Sequence, residues 1–367
     1  PPHASLQQRC PASAAAIEES AARTLAQGSP GLVVQAAQSG SVVFAGAYGM
    51  ANLEHAAPMR ADTVFRLASV TTQFTAAAIL LLVEDGRVSL DDRLSRFVPE
   101  LPQAEEITLY QLLVQTSGLA DYAGDETGLK TKSIPRSHDD MIEWIAGLEP
   151  RFLFTPGSAW GYSNSNYALL GAVIERVSGK DLQSFFAERV FAPAGLTNTS
   201  FDDPGDIVPH RAGGYRRSRA SASGYVNADF ISATIPGAAG GLRTTAGDLI
   251  RWSEALFGGR VLSPSSLELM TSPGLLNDGR TTIHGMPEPV QRGWRSDYAM
   301  GLFVTSSAAG VRYWHGGDID GFSSWLAYYP EAALTIAVLQ NSESADIDEQ
   351  VIEDALVMAL IRNCSPA

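Results

Sequence analysis

The chain has 367 residues, 45% apolar and only 18% charged, enough for a substantial core in two domains or in one domain carrying an insertion. Its net charge of −14 argues against a nucleic-acid surface, which needs clustered basic side chains; YRRSR at 215–219 is the one basic knot and reads as a solvated loop. No apolar run reaches the roughly 18 residues of a spanning helix, and the 6 scattered histidines form no zinc motif, so no metal or cofactor is expected.

Residues 12–27 are Ala-rich, with Ile17, Ala21 and Leu25 at four-residue spacing, and predict an amphipathic helix stopping before Gly28. Gly31 to Ala37 and Ser41 to Tyr48, separated by QSG, predict a hairpin. After an extended piece at Thr63, Val64 and Phe65, Ser69 stands at a break before the apolar run Phe74 to Val83. That run is too long for a strand and too short for a membrane span, so it predicts a buried helix starting near Ser69 and closed by Gly86. A hydroxyl in the first turn of such a helix lies among backbone N–H groups without intrahelical partners, where developing negative charge is favoured. Taken alone, Ser69 also fits a simple helix cap.

Asp91 to Pro102 reads as a loop, and Thr108 to Gln115 as a short helix with a glycine stop at Gly118. Residues 123–137 are polar and aperiodic, with Lys130 and Lys132 as solvent charges. Helices are predicted over 139–147, over a segment capped by Asn164 or Ser165 and ended by Gly179, over Asp181 to Val190, and over a segment capped by Thr245. Residues 203–235 read as loop and short strand, Gly237 to Gly241 as a turn without the Lys or Ser/Thr of a phosphate cradle, and 272–296 as loop. The C-terminal part alternates as strands Tyr298 to Thr305, Gly310 to His315, Phe322 to Tyr329 and Leu334 to Gln340, then a helix Asp348 to Ile361. Strands at both ends and helices between them imply an α+β fold: an antiparallel sheet built from the N- and C-terminal segments and flanked by helices, with a mainly helical insertion. The expected division is 1–68 with 236–367 for the sheet domain and 69–235 for the helical one, the site lying between them.

Three short segments recur in the order expected of one family. Ser69-Val70-Thr71-Thr72 opens a buried helix, Tyr162-Ser163-Asn164 follows roughly 90 residues later, and His315-Gly316-Gly317-Asp318 lies roughly 150 residues beyond that. With the connecting segments LLVQTSGLADY and AAGGLRTTAGDLIRW, they resemble the serine β-lactamase, D,D-peptidase and family VIII esterase superfamily over most of residues 15–360. Tyr162 and Asn164 match its Y-x-N motif, and His315 to Gly317 match the H-x-G variant of its K-T-G strand. Gln115 stands where histidine is frequent. Thr72 stands where S-x-x-K carries its lysine, which shares a helix face with the serine.

The resemblance implies acyl transfer without a cofactor. Ser69 is expected to attack an amide or ester carbonyl, Tyr162 to move its proton, and the N–H groups of Ser69 and Asp318 to hold the oxyanion. Asn164 is expected to bind the substrate's amide carbonyl, and His315 to face its carboxylate or leaving-group side. An isolated phenol has a pKa near 10 and needs a neighbouring cation to act at neutral pH. Threonine supplies none, so this chain is expected to acylate slowly or not at all. It reads either as an inactivated hydrolase or as a natural member that binds peptidoglycan fragments or β-lactams without hydrolysis; a β-lactamase is the third reading. The partner is a small molecule or short peptide, shaped by loops 120–137, 203–235 and 275–297. The superfamily brings both termini into one region, which would let Cys10 bond Cys364 and stabilise the fold by at most about 6 kcal/mol. With a chain that begins PPHASLQQRC without an initiator Met, this favours an exported, periplasmic or secreted protein.

Overall fold

The apolar runs near the two ends of the chain meet in one sheet. The computed structural model describes residue 18 and residues 28–286, 296–307, 309–343 and 349–361; the helix expected over 12–27 and the pair Cys10 and Cys364 lie outside them. Seven strands, numbered here in chain order, are β1 (Leu32–Gln38), β2 (Ser41–Tyr48), β3 (Ser296–Tyr298), β4 (Phe303–Ser307), β5 (Gly310–Ile319), β6 (Phe322–Tyr329) and β7 (Leu334–Gln340). They form an antiparallel sheet in the order β3-β4-β5-β6-β7-β1-β2. Leu32 sits opposite Gln340, so the N-terminal hairpin completes a sheet whose other strands come some 260 residues later. This is the α+β arrangement expected. β7 is buried at every position, and both of its faces are covered by helices.

Helix α1 (Thr71–Glu84) is the buried helix that follows Ser69, and 12 of its 14 residues are buried. A helix that is apolar on every side has to be enclosed. Phe74 of α1 stacks on Trp252 of a helix at Ala246–Phe257, with ring centroids 4.0 Å apart. Burying such side chains stabilises the fold by about 1.5–3 kcal/mol each. Helix α2 (Asn164–Ser178) packs against α1 and ends at Gly179 in the left-handed conformation. Among the described residues no helix is long and apolar enough to cross a membrane.

Four local expectations need correction. The strand expected over 298–305 is broken in two by a turn in which Ala299 N–H donates to Leu302 O. The turn is forced by close approach: a Cβ on Gly301, at φ +77°, would lie 2.5 Å from the Thr72 carbonyl oxygen. The strand expected to end at His315 runs on through Gly316, Gly317 and Asp318 to Ile319 as the second half of β5. The helix expected over 181–190 is interrupted, an α-helical turn at Leu182–Phe186 passing into a π turn at Ala187–Phe191. Phe185, Phe186, Val190 and Phe191 are buried at five-residue spacing, which a π turn brings onto one face. Finally, Asn164 does not cap α2 but is its first residue; its N–H donates instead to the carboxylate of Asp121, 3.1 Å away on a distant loop. A carboxylate there also complements the helix dipole.

Candidate active site

Ser69 lies in a 3-10 turn, Ala68–Val70, that leads into α1. The residue before it, Ala68, has φ +49°, a left-handed conformation that costs a non-glycine residue energy and requires support from its surroundings. The support comes from both sides: Leu67 N–H donates to Leu242 O at 2.8 Å, and Ser324 Oγ of β6 donates to Leu67 O at 2.6 Å. The pairing of β4 with β5 ends at Trp314, so among the described residues His315 to Ile319 pairs with β6 alone and its other edge, near Ser69, is unpaired. Contact there is tight, since a Cβ on Gly317 would lie 2.6 Å from Ser69 N and 2.9 Å from Leu67 O. We expect Gly317→Ala to destabilise the fold by about 1–3 kcal/mol, because the clash is with backbone that cannot step aside. Urea denaturation of the two proteins checks this, and equal midpoints would show that β5 tolerates displacement.

Tyr162 is positioned by Gln115. Gly161 N–H donates to Gln115 O at 3.0 Å, Ser163 N–H to Gln115 Oε1 at 3.1 Å, and Asn166 Nδ2 to the same oxygen. The Tyr162 hydroxyl is buried and has no hydrogen-bond partner of good geometry. Burial first, then the neighbouring Tyr298 and Asp121, push its phenol well above the usual value near 10, and the nearby Ser69 hydroxyl offsets only part of this. At neutral pH the phenol therefore keeps its proton. Asn164 Nδ2 donates to Asp121 Oδ2 at 2.9 Å, which orients the amide expected to receive substrate and uses one of its two N–H groups.

Thr72 is fully buried one turn behind Ser69, its hydroxyl 2.8 Å from Ser69 O and 3.0 Å from Gly301 O. It ties α1 to the turn before β4 and carries no charge. Tyr298, in interaction distance of Thr72, Gln115 and Tyr167, fills out this neighbourhood with a second buried phenol whose ionisation burial likewise suppresses.

His315 is buried on β5, with Nδ1 2.5 Å from Gly316 O and Nε2 3.3 Å from the Tyr298 hydroxyl. A carbonyl can only accept, so Nδ1 carries the proton and Nε2 accepts from Tyr298. Burial holds the imidazole down at about 4, only partly countered by the Gly316 bond. In the unfolded chain it would titrate near 6.5, so between these values the unfolded state binds the extra proton. The stability gained by keeping His315 neutral is full above about pH 6.5 and is lost as pH falls towards 4. We expect a loss of roughly 2.5 kcal/mol from this group between about pH 7.5 and about pH 4.5. Urea denaturation at the two pH values should show it in the parent and not in His315→Asn; the same loss in both would remove His315 as the cause.

Ser69, Tyr162, His315, Gly316, Gly317 and Asp318 all line one cavity of about 620 Å³. Asn164 lines a smaller hollow that shares Ser69 and Asp318 with it, and Thr72 lines neither. The cavity also takes in residues that the sequence did not single out: Trp160, Phe303, Trp314, Trp325 and Arg312. Only their place on β4, β5 and β6 and in the segment before Tyr162 brings them there; no motif marks them.

A sequence model of the Beta-lactamase family matches residues 14–358. The chain belongs to the beta-lactamase family. Penicillin-binding protein 4* of Bacillus subtilis (strain 168) is 29% identical over 329 residues, which is 87% of this chain and 70% of that protein. Protein flp of Staphylococcus aureus (strain N315) is 28% identical over 327 residues, 88% of this chain and 61% of its own length. Among solved structures, the D-amino acid amidase from Ochrobactrum anthropi SV3, complexed with L-phenylalanine amide, superposes with a TM-score of 0.79 at 25% identity, over 96% of this chain and 99% of that one. A penicillin binding protein from Bacillus halodurans gives 0.78 at 25% identity, over 94% and 98%. Family and neighbours support a serine acyl-enzyme hydrolase of this superfamily. In this chain positions 72 and 315 hold a threonine and a histidine that is neutral at pH 7.

Proposed function

We propose that the protein is a serine hydrolase of the D,D-peptidase and esterase type whose acylation step is crippled by Thr72. The reading is carried by one observation: Ser69 and Tyr162 line the same cavity, and the Tyr162 hydroxyl there is buried without a partner. In the chemistry proposed, Ser69 Oγ bonds to the carbonyl carbon of an amide or ester. Its proton passes to Tyr162 and on to the departing nitrogen or oxygen as that bond breaks; water then returns by the same route to release the acid. The N–H groups of Ser69 and Asp318 would hold the oxyanion. A phenol that keeps its own proton cannot take one from serine, so the first step stalls. Removing general-base help costs about 10²–10⁴ in rate.

The second reading, a binder of peptidoglycan fragments or β-lactams, draws on the same cavity, which Thr72 does not line. Intact-mass measurement after incubation with a fluorescent penicillin, on the parent and on Thr72→Lys, separates the two. An adduct that appears with lysine and vanishes in Thr72→Lys/Ser69→Ala supports the hydrolase. Binding without covalent mass in every variant supports the binder.

A further inference from the structure

A second cavity, of about 260 Å³, shares no lining residue with the Ser69 cavity. Backbone pairing builds one of its walls from arginines. Leu242–Thr244 is the central strand of a short sheet, flanked by Phe65–Arg66 and Ser200–Phe201, and in it Arg243 lies directly opposite Arg66 on one side and Ser200 on the other. Residues directly opposite in a sheet send their side chains to the same face, so Arg66 and Arg243 leave it together. Val64, just before that sheet, bridges to Arg211 and brings a third guanidinium. All three arginines line the cavity.

These three guanidiniums meet one buried carboxylate that is theirs alone. Asp202 takes Arg66 Nε and Arg211 Nη2, each at 3.2 Å. Asp320 also lines the cavity but is held by Lys132. Asp206, which pairs with Arg243 Nη2 at 2.7 Å, is 51% exposed, and Asp229 is 67% exposed, so water and salt screen both. The side chains of Arg66, Arg243 and Asp202 are each only 12% exposed. Three positive charges against one negative leave the buried wall a surplus of about two. Burial lowers the Arg66 guanidinium from its usual value, Asp202 and Asp320 draw it back, and the like charge of Arg211 lowers it further. Two donors are also unused: Arg211 Nε and Arg243 Nη1 are buried and have no hydrogen-bond partner among the described residues. Buried donors without an acceptor call for a bound ion or water, and a guanidinium fork fits an oxyanion.

We propose that this arginine-walled cavity is a binding site for a phosphate group carried by a small organic molecule. A phosphate monoester has a charge near −2 just above neutral pH, which matches the surplus on the wall, whereas a carboxylate would offset only half of it. Its oxygens would accept from Arg211 Nε and Arg243 Nη1. At about 30 Å³ for each water-sized atom, 260 Å³ holds roughly nine, more than a phosphate group alone. The remaining space is bounded by Ala228, Phe230 and Phe322, which suit a short apolar substituent. The site requires no reaction at Ser69 and stands apart from the acyl-transfer reading.

The test uses the full chain and calorimetric titration slightly above neutral pH with propyl phosphate, inorganic phosphate and propionate, all at one ionic strength. We expect both phosphates to bind, propyl phosphate severalfold more tightly than the free ion, and propionate to bind more weakly than either. Arg211→Gln and Arg243→Gln should each weaken propyl phosphate at least about tenfold, since a hydrogen bond between charged groups is worth that factor or more, and Arg243→Lys, which keeps the charge but not the fork, should weaken it less. Should Arg243→Gln not fold, Arg211→Gln carries the test, because the Arg211 side chain is partly exposed and its loss leaves the short sheet intact. Ser69→Ala should bind as the parent does. No binding of either phosphate overturns the proposal, as does propionate binding as tightly as propyl phosphate. Affinity unchanged in Arg211→Gln, or lost in Ser69→Ala, would place the anion elsewhere and overturn it too. Inorganic phosphate binding as tightly as propyl phosphate would overturn the organic carrier and leave the site to the free ion.

Discussion

Thr72→Lys is expected to raise the rate of ester hydrolysis by about 10²–10⁴, equivalent to roughly 2.7–5.4 kcal/mol off the acylation barrier. The effect is electrostatic. Tyr298 and Tyr167 are fully buried and the half-buried Tyr162 has a buried hydroxyl; ionisation of all three phenols is suppressed, and among the described residues no cation relieves them. An ammonium three residues after Ser69, on the same side of α1, would favour the Tyr162 phenolate and give its unpartnered hydroxyl a donor. The substitution has a cost, because the Thr72 hydroxyl bonds to Ser69 O and Gly301 O would be exchanged for those of the ammonium. Each such bond is worth about 0.5–1.5 kcal/mol, less than the expected gain in barrier. Thr72→Met supplies the length without the charge and should stay as slow as the parent. A panel of p-nitrophenyl esters run on the parent, Thr72→Lys, Thr72→Met and Thr72→Lys/Ser69→Ala checks the prediction. A lysine variant no faster than the methionine one would sink it, and with it the idea that residue 72 alone holds the chemistry back.

The second large effect concerns stability. Glu353, on the helix Glu349–Leu360, is completely buried and accepts from Arg312 Nη1 at 2.9 Å, Trp325 Nε1 at 2.9 Å and Tyr329 Oη at 2.6 Å. Burial raises its carboxyl above the usual range, and the Arg312 charge together with the donors from Tyr329 and Trp325 pulls the other way. The ionised pair is the state that satisfies all three donors. Glu353→Ala leaves a guanidinium and two ring donors buried without an acceptor, and should destabilise the protein by about 3–5 kcal/mol. Much of that is the cost of an uncompensated charge, not the net worth of the pair, so Arg312→Met/Glu353→Ala should lose clearly less than the two single variants added together. Guanidinium denaturation of the four proteins measures this. Additive losses would mean that Arg312 finds solvent when its partner goes. Since Arg312 and Trp325 line the Ser69 cavity, the same cluster connects the C-terminal helix to the shape of the site.

Much of this could be read from the chain because it is local. The strand-like runs at 41–48, 322–329 and 334–340 became strands at the expected residues, and Thr245 caps its helix by accepting from Asp248 N. Such features depend on a few neighbouring residues and their side-chain alternation. The three site segments were equally legible as spaced motifs, and the structure lines one cavity with Ser69, Tyr162 and the His315–Asp318 strand.

What the sequence could not disclose depends on partners far away in the chain. How Asp121 orients the Asn164 amide, whether His315 is charged, and whether Arg312 is free or matched by Glu353 are decided by neighbours at separations of 43 and 41 residues or by burial within the sheet. The break at Gly301 likewise follows from the carbonyl of Thr72, 229 residues earlier. By itself, then, the sequence determined most of the helices and strands and marked Ser69 and Thr72 as the candidate nucleophile and its neighbour one turn on, since propensity, periodicity and residue identity are properties of short stretches. Only the tertiary structure decided the charge and contents of the cavity, because desolvation and Coulomb interactions act through space among groups that the chain order keeps apart.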